Sequence, residues 1–275
     1  MMLFSIKKFQ RHVFSTAILF SALLLPVAGL SEPISVITPR GATLEMIADF
    51  PAGNGPFAAV VLAPGQGYHM RLPAIEQTAK AMIAQQIAVF RFNWAYFSKD
   101  KKTGKPSDDL VAEIEDMTTV LAKARNDPRV SKDRFAVAGK SLGSIVAWHV
   151  LAKDQAIKGG LFLTPVCSRT WSGVSTNTSP ADENYPGVDM EKRALAFITG
   201  ELDPLCSAPA LYRFAAAAGG KVRVAIVGGD HSFSDPTIIG PAGDEVTMKN
   251  LQLVARLSAD FVRTMMRRTN SNNQK

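Results

Sequence analysis

Residues 139–143 read GKSLG and place one serine, Ser141, between two glycines. A segment typical of a strand, residues 134–138, comes directly before this segment, and a helix-periodic run, residues 142–151, begins inside it. A strand, a sharp turn and a helix in this order are the setting of a nucleophile elbow. Because a tight turn brings neighbouring backbone close together, a side chain at either flanking position would clash. The pattern predicts Ser141 as a nucleophile, with an ordinary glycine-rich turn as the alternative.

A serine hydroxyl needs a base to take its proton, and the sequence has four histidines to supply one. His12 lies near the amino terminus, and His149 is about 12 Å from Ser141 along the same predicted helix, too far to reach the hydroxyl. His69 precedes the serine, which does not suit the order serine, acid, histidine. His231 directly follows the last predicted strand, so we predict that His231 is the base.

The base needs a carboxylate to hold its tautomer, and this acid is expected at a strand end between the serine and the histidine. Asp203 lies on the turn after the apolar run 195–199 and is the first choice, with Glu201 as the local rival. Asp230 is adjacent to the histidine and is better placed to cap its own loop. The two other acids considered lie in a polar insertion and are weaker candidates: Asp182 and Asp189.

An acyl-transfer site also needs hydrogen-bond donors aimed at the oxyanion that develops in the transition state. In a nucleophile elbow one donor is the N–H of the residue after the serine, here Leu142. The second is expected from the loop after the apolar run 58–62, where the sequence is APGQGY. Gln66 is the first choice and Gly67 the second. A plain Pro-Gly turn is the alternative.

Apolar runs typical of strands alternate with amphipathic segments, which predicts an α/β fold with a mostly parallel sheet between helices. Helical spacing of apolar residues is found in the segments 75–83 and 110–121, with Ser107 predicted to cap the second, and the closing segment 248–266 is also helix-periodic. A polar segment, residues 168–192, interrupts the alternation and is a candidate for a short cap. The predicted strands are residues 43–48, 58–62, 88–92, 134–138, 160–163, 195–199 and 222–227.

The first thirty residues resemble a secretory signal peptide: three cations, then the apolar run 13–27, then small residues. We expect export to the periplasm or the medium, cleavage close to Glu32, and one domain over residues 31–275. The alternative is an uncleaved anchor, in which the leader is the only membrane contact. The chain has 31 Lys and Arg against 24 Asp and Glu without a basic run, which gives little support for nucleic-acid binding.

The only two cysteines, Cys167 and Cys206, both follow apolar runs predicted as strands. An exported protein can form disulfides, and two strand ends at one edge of a sheet can bring such residues together. Two separate buried thiols are an equally good interpretation.

The APGQG loop, the GKSLGS elbow, the ITGELDPL turn and the GGDHSF turn together resemble the α/β-hydrolase superfamily. Within it they look most like the dienelactone-hydrolase-like group that includes testis-expressed protein 30 and KANSL3-type proteins. The resemblance covers essentially the whole mature chain and implies that Ser141, Asp203 and His231 are nucleophile, acid and base. It also makes the strands before the two cysteines neighbours. Two features depart from the group: Pro64 stands where many relatives have histidine, and dienelactone hydrolases proper have cysteine in place of the serine.

These features predict an exported serine hydrolase that cleaves a carboxylic ester with a small or medium acyl group. A thioester or amide is a weaker possibility, and dienelactone itself is not expected as substrate. No metal or organic cofactor is implied. The alternative function is a non-catalytic interaction module that keeps the α/β-hydrolase fold.

Overall fold

Eight strands form one sheet in the computed structural model, which describes residues 32–171 and 179–267. The predicted leader, residues 1–30, lies outside the described residues. The strand order is β1-β2-β4-β3-β5-β6-β7-β8; β1 and β2 are antiparallel to their neighbours, and β3 to β8 are parallel. The strands are β1 (Ile34–Ile37), β2 (Thr43–Asp49), β3 (Phe57–Ala63), β4 (Ile87–Phe92), β5 (Val130–Lys140), β6 (Ile157–Leu163), β7 (Ala194–Gly200) and β8 (Val222–Val227).

Helices cover both faces of this sheet, which is why the central parallel strands are almost entirely apolar. Buried side chains of α1 and α7 pack on one face, and those of α3, α4 and α6 pack on the other. No helix in the described ranges is long and apolar enough to cross a membrane. The helices are α1 (Pro73–Ala84), α2 (Ala95–Lys99), α3 (Val111–Arg125), α4 (Leu142–Lys153), α5 (Pro180–Asn184), α6 (Ala208–Ala217) and α7 (Pro241–Arg267).

All seven predicted strands are present, and the prediction of a mostly parallel α/β sheet is confirmed. Strand β1 was not predicted, because it is four residues long and only Val36 is buried. The prediction that Ser107 caps α3 is wrong. The helix begins after Leu110, whose side chain is buried in the core, and the Ser107 hydroxyl donates instead to the carboxylate of Glu113. Helix α7 also begins seven residues earlier than predicted.

The polar segment 168–192 is only in part an insertion, since it also supplies buried residues. Tyr185 is fully buried, and its hydroxyl lies 2.8 Å from Ser144 Oγ and accepts a hydrogen bond from the Val166 N–H. The Asn184 side chain donates to the carbonyl of Val166 and accepts from the N–H of Trp171. Residues 172–178 lie outside the described residues.

A disulfide joins Cys167 to Cys206, with Cα atoms 4.8 Å apart. The pairing left open by the sequence is therefore present in the structure. The N–H groups of Cys167 and Ser168 both donate to the carbonyl of Leu205, so backbone hydrogen bonds connect the same two segments. The bridge ties the segment after β6 to the turn after β7.

We expect reduction of this disulfide to lower the melting temperature, because the bond closes a loop between residues 39 positions apart. In the chain-entropy model a loop of this length contributes about 3 to 4 kcal/mol to the free energy of unfolding. The measurement is thermal unfolding with and without reductant, together with the intact mass of unreduced protein, which should be 2 Da below that of the dithiol. A double replacement, Cys167→Ser with Cys206→Ser, is the control and should show no response to reductant. Two thiols alkylated in the denatured, unreduced protein would contradict the prediction.

Candidate active site

Ser141 is the single residue between strand β5, which ends at Lys140, and helix α4, which begins at Leu142. Its backbone has φ 54° and ψ −121°, a conformation that costs energy in any residue other than glycine. The N–H of Ser141 donates to the carbonyl of Leu163 on β6, and its carbonyl accepts from both the N–H and the hydroxyl of Ser144. These bonds hold the strained turn, which has the geometry expected of a nucleophile elbow.

Both glycines of the elbow are required by close backbone contacts, as the sequence predicted. A Cβ on Gly139 would overlap the carbonyl oxygen of Gly143. A Cβ on Gly143 would lie 2.5 Å from the carbonyl oxygen of Pro64 in the loop after β3. The elbow and this loop are therefore in direct backbone contact.

Asp203 and His231 contact each other at the carboxyl edge of the sheet. The Nδ1 atom of His231 lies 3.0 Å from each oxygen of the Asp203 carboxylate, and the Asp203 side chain is fully buried. The same carboxylate accepts hydrogen bonds from the Thr199 hydroxyl and from the N–H of Leu205. These two groups fix the carboxylate on one side of the imidazole ring, the arrangement that holds a histidine in the tautomer of a base.

The turns that carry Asp203 and His231 pack on each other. The N–H of Leu202 donates to the carbonyl of Gly229, and a Cβ on Gly200 would overlap the same oxygen. Asp230 accepts from the N–H groups of Ser232 and Ser234, so it caps its own loop as the sequence suggested. The relative position of the two turns follows from the pairing of β7 with β8.

No hydrogen bond joins Ser141 to His231, although both lie among the described residues. Hydrogen bonds between nucleophile and base are often long in unliganded hydrolases and tighten when substrate binds. The serine and the histidine are nevertheless linked through the preceding residue, because the Lys140 ammonium donates to the His231 carbonyl oxygen over 2.9 Å.

The two segments that carry the predicted oxyanion donors, Leu142 and Gln66, both lie next to the serine. Leu142 is the first residue of α4, so its N–H is one of the four amides that a helix leaves without an intrahelical acceptor. A turn closed by the Tyr68 N–H on the Gly65 carbonyl carries Gln66, and Gly67 within this turn has φ 62°. A Cβ on Gly65 would lie 3.3 Å from the Cβ of Ser141. The loop therefore passes directly beside the proposed nucleophile.

Pro64 departs from the residue usual in related loops, and the structure shows what holds the loop at this position. The carbonyl oxygen of Pro64 accepts a hydrogen bond of 3.1 Å from the indole N–H of Trp94, which is fully buried after β4. This contact anchors the loop at the same carbonyl oxygen that approaches Gly143 of the elbow.

Among the described residues, no rival candidate for the acid or the base forms a hydrogen bond with the His231 ring or with the Ser141 hydroxyl. Glu201 is exposed, and Asp182 binds the Ser179 hydroxyl in the first turn of α5. His149 is half-buried on α4, where burial and the charge of Lys153 lower its pKa. Burial also lowers the pKa of His69, and the charges of Lys101 and Arg71 act in the same direction. His12 lies outside the described residues.

Sequence reasoning missed two residues of this edge. Lys140 is a lysine at the end of a buried strand, a visible signal that was not used. Thr164, directly after β6, is fully buried with φ 41°, which is unusual for a β-branched residue. No sequence pattern marks Thr164, whose conformation follows from the hydrogen bond of its N–H to the carbonyl of Ile198 on β7.

Residues 56–263 match a protein family described as alpha/beta hydrolase domain, and the chain belongs to this family. No curated protein is significantly similar to the chain in sequence. The fold is shared with Est1E from Butyrivibrio proteoclasticus bound to ferulic acid, at a TM-score of 0.66 and 14% identity over 85% of this chain and 99% of that one.

Two further structures have the same fold. One is an alpha-beta serine hydrolase homologue from Coxiella burnetii, with a TM-score of 0.61 and 18% identity over 82% of this chain and 96% of that one. The other is XC6422 from Xanthomonas campestris, a serine hydrolase without a lid, with a TM-score of 0.58 and 18% identity over 86% and 96% of the two chains. The predicted α/β-hydrolase fold is confirmed.

Proposed function

We propose that this protein is an exported serine hydrolase that cleaves carboxylic esters with small or medium acyl groups. One observation carries the proposal: the buried Asp203 carboxylate contacts Nδ1 of His231 at the sheet edge that also holds Ser141 in a strained elbow. A nucleophile, an acid and a base in this chain order and at these strand ends are typical of hydrolytic α/β-hydrolases.

The proposed reaction begins with attack of Ser141 Oγ on the ester carbonyl, while His231 Nε2 takes the hydroxyl proton. Asp203 keeps the proton of His231 on Nδ1 and stabilises the imidazolium. The N–H groups of Leu142 and Gln66 bind the oxyanion of the tetrahedral intermediate. The imidazolium then protonates the leaving alcohol. Water, deprotonated by His231, attacks the acyl-enzyme in the same way, which releases the acid and restores the serine.

The proposed substrates, esters with small or medium acyl groups, follow from the shortness of the candidate cap, the polar segment 168–192. Est1E is seen with ferulic acid and XC6422 is described as lacking a lid, and both share this fold. Export is proposed from the leader sequence and is supported by the disulfide, since such bonds persist in oxidising compartments. Membership of the dienelactone-hydrolase-like group within the superfamily is proposed from the sequence motifs alone.

The test combines a fluorophosphonate probe with p-nitrophenyl esters of graded acyl length. We expect covalent labelling of the protein and kcat/KM values that are largest for short and medium acyl chains. Labelling requires an activated serine, so it separates an enzyme from a non-catalytic interaction module of the same fold. Protein that is folded but neither labelled nor active on any ester would favour the module, and a preference for the longest chains would contradict the proposed substrate class.

A further inference from the structure

Lys140 is a charged side chain buried in the middle of the nucleophile elbow. It is 2% exposed, although it directly precedes Ser141 at the end of an apolar strand. Its ammonium group donates a hydrogen bond to the backbone carbonyl of His231 and lies 5.0 Å from the centre of the Tyr68 ring. One side chain thus contacts both the histidine turn and the loop that carries Gln66.

Such a burial is costly for folding. An ammonium group removed from water loses hydration, and Lys140 forms no salt bridge with any described residue to replace it. Burial lowers the pKa of Lys140 to about 8, and the negative charges of Asp203 and Asp230 offset this effect in part. Methionine would fill nearly the same space without this cost, so packing alone does not account for a lysine at this position.

The orientation of His231 depends on two attachments. Its ring is held by Asp203 through Nδ1, and its backbone carbonyl is held by Lys140. The turn that carries His231 also contains Gly229 at φ 95°, and glycine has more backbone freedom than any other residue type. Without the lysine, the ring keeps its contact with Asp203 and Asp230 still caps the turn, but the His231 carbonyl loses the hydrogen bond that ties it to the elbow.

We propose that Lys140 is a positioning residue whose ammonium group holds the His231 backbone and the Tyr68 loop against the elbow, so that the imidazole faces Ser141. The inference rests on the proposed function, because it assigns a task to the base of that reaction. Misplacement of a catalytic group by about 1 Å can cost about 10²-fold in rate.

The charge on Lys140 gives this role a pH dependence. Four groups face the ammonium: the Tyr68 ring after β3, Asp203 after β7, and Asp230 with the His231 carbonyl after β8. Above a pH of about 8 the amine becomes neutral and loses its attraction for the ring and for both carboxylates. We expect kcat/KM and the rate of fluorophosphonate labelling to fall above this pH, reversibly when the protein is returned to pH 7.

The lowered pKa of Lys140 also makes the free energy of unfolding depend on pH, in the direction expected of a buried amine. The folded-state pKa is about 8 and the ordinary value is 10.5, so the unfolded chain binds more protons between these two pH values. The free energy of unfolding therefore gains a contribution from Lys140 that rises with pH across this window. A variant without the amine lacks this rise.

The experiment compares wild type with Lys140→Met, and uses Lys153→Met on the exposed end of α4 as the matched control. We expect Lys140→Met to lower kcat/KM at pH 7 by about 10- to 100-fold, mainly through kcat, and to remove the fall above pH 8. Urea unfolding at pH 8 and pH 10 should show a larger rise in midpoint for wild type than for this variant. Lys153→Met should behave as wild type in all three measurements.

Three results would overturn the inference. These are Lys140→Met activity within twofold of wild type, an unchanged fall above pH 8 in that variant, and wild-type labelling that is flat from pH 7 to 10. The last measurement needs no variant and decides the matter even if Lys140→Met does not fold. Wild-type protein that the probe does not label at any pH would instead refute the proposed function.

Discussion

Replacement of Ser141 by alanine is expected to lower turnover of a p-nitrophenyl ester by about 10⁴-fold or more while the protein stays folded. The variant removes the only atom proposed to attack the carbonyl, and loss of a triad nucleophile costs several orders of magnitude in kcat. Alanine keeps the Cβ that packs beside Gly65 and has the same backbone demands at φ 54°. The measurements are kcat with a chromogenic ester and fluorophosphonate labelling, with circular dichroism to verify the fold.

A second serine close to the site provides the control for this variant. Ser232 is exposed beside His231, and its recorded contact is a backbone N–H bond to Asp230, which alanine retains. We expect Ser232→Ala to keep turnover within about threefold of wild type. A Ser141→Ala variant with more than about a tenth of wild-type activity, or one that still reacts with the probe, would show that another residue is the nucleophile.

Replacement of Asp203 by asparagine is expected to lower turnover by about 10³- to 10⁴-fold. The N–H of Leu205 and the Thr199 hydroxyl surround the carboxylate together with His231. When the amide oxygen accepts from Leu205, the amide NH₂ group replaces the other carboxylate oxygen, which lies 3.0 Å from Nδ1, and we expect it to donate to Nδ1. The imidazole then carries its proton on Nε2 and cannot accept one from the serine.

The matched control for this variant is Glu201→Gln, an acid-to-amide change two residues away on the same turn. Glu201 is exposed, and the structure shows no contact between its side chain and His231, both being described residues. We expect less than a tenfold change in turnover. If Glu201→Gln lowered turnover more than Asp203→Asn, Glu201 would be the acid and the contact of Asp203 with His231 would have only a structural role.

The order of strands and helices was predictable because buried parallel strands carry nearly continuous apolar runs and the amphipathic helices keep their period. The sequence-based predictions missed or misplaced elements where the burial of a residue does not follow the local sequence pattern. Strand β1 is an exposed edge with one buried residue, and α3 begins after a core leucine instead of the serine favoured by capping preferences. Local preferences are weak relative to the burial of a large side chain.

The sequence by itself determined the candidates for the site: a serine between glycines, an acid after one strand and a histidine after the next. These signals are local, since each depends on a turn that follows an apolar run. The pairing of Cys167 with Cys206 and the contact of Asp203 with His231 were decided by tertiary structure, which brings β6, β7 and β8 side by side. The partners of Lys140 come from loops 72 and 91 residues away in sequence, and only the folded sheet edge brings them to one ammonium group.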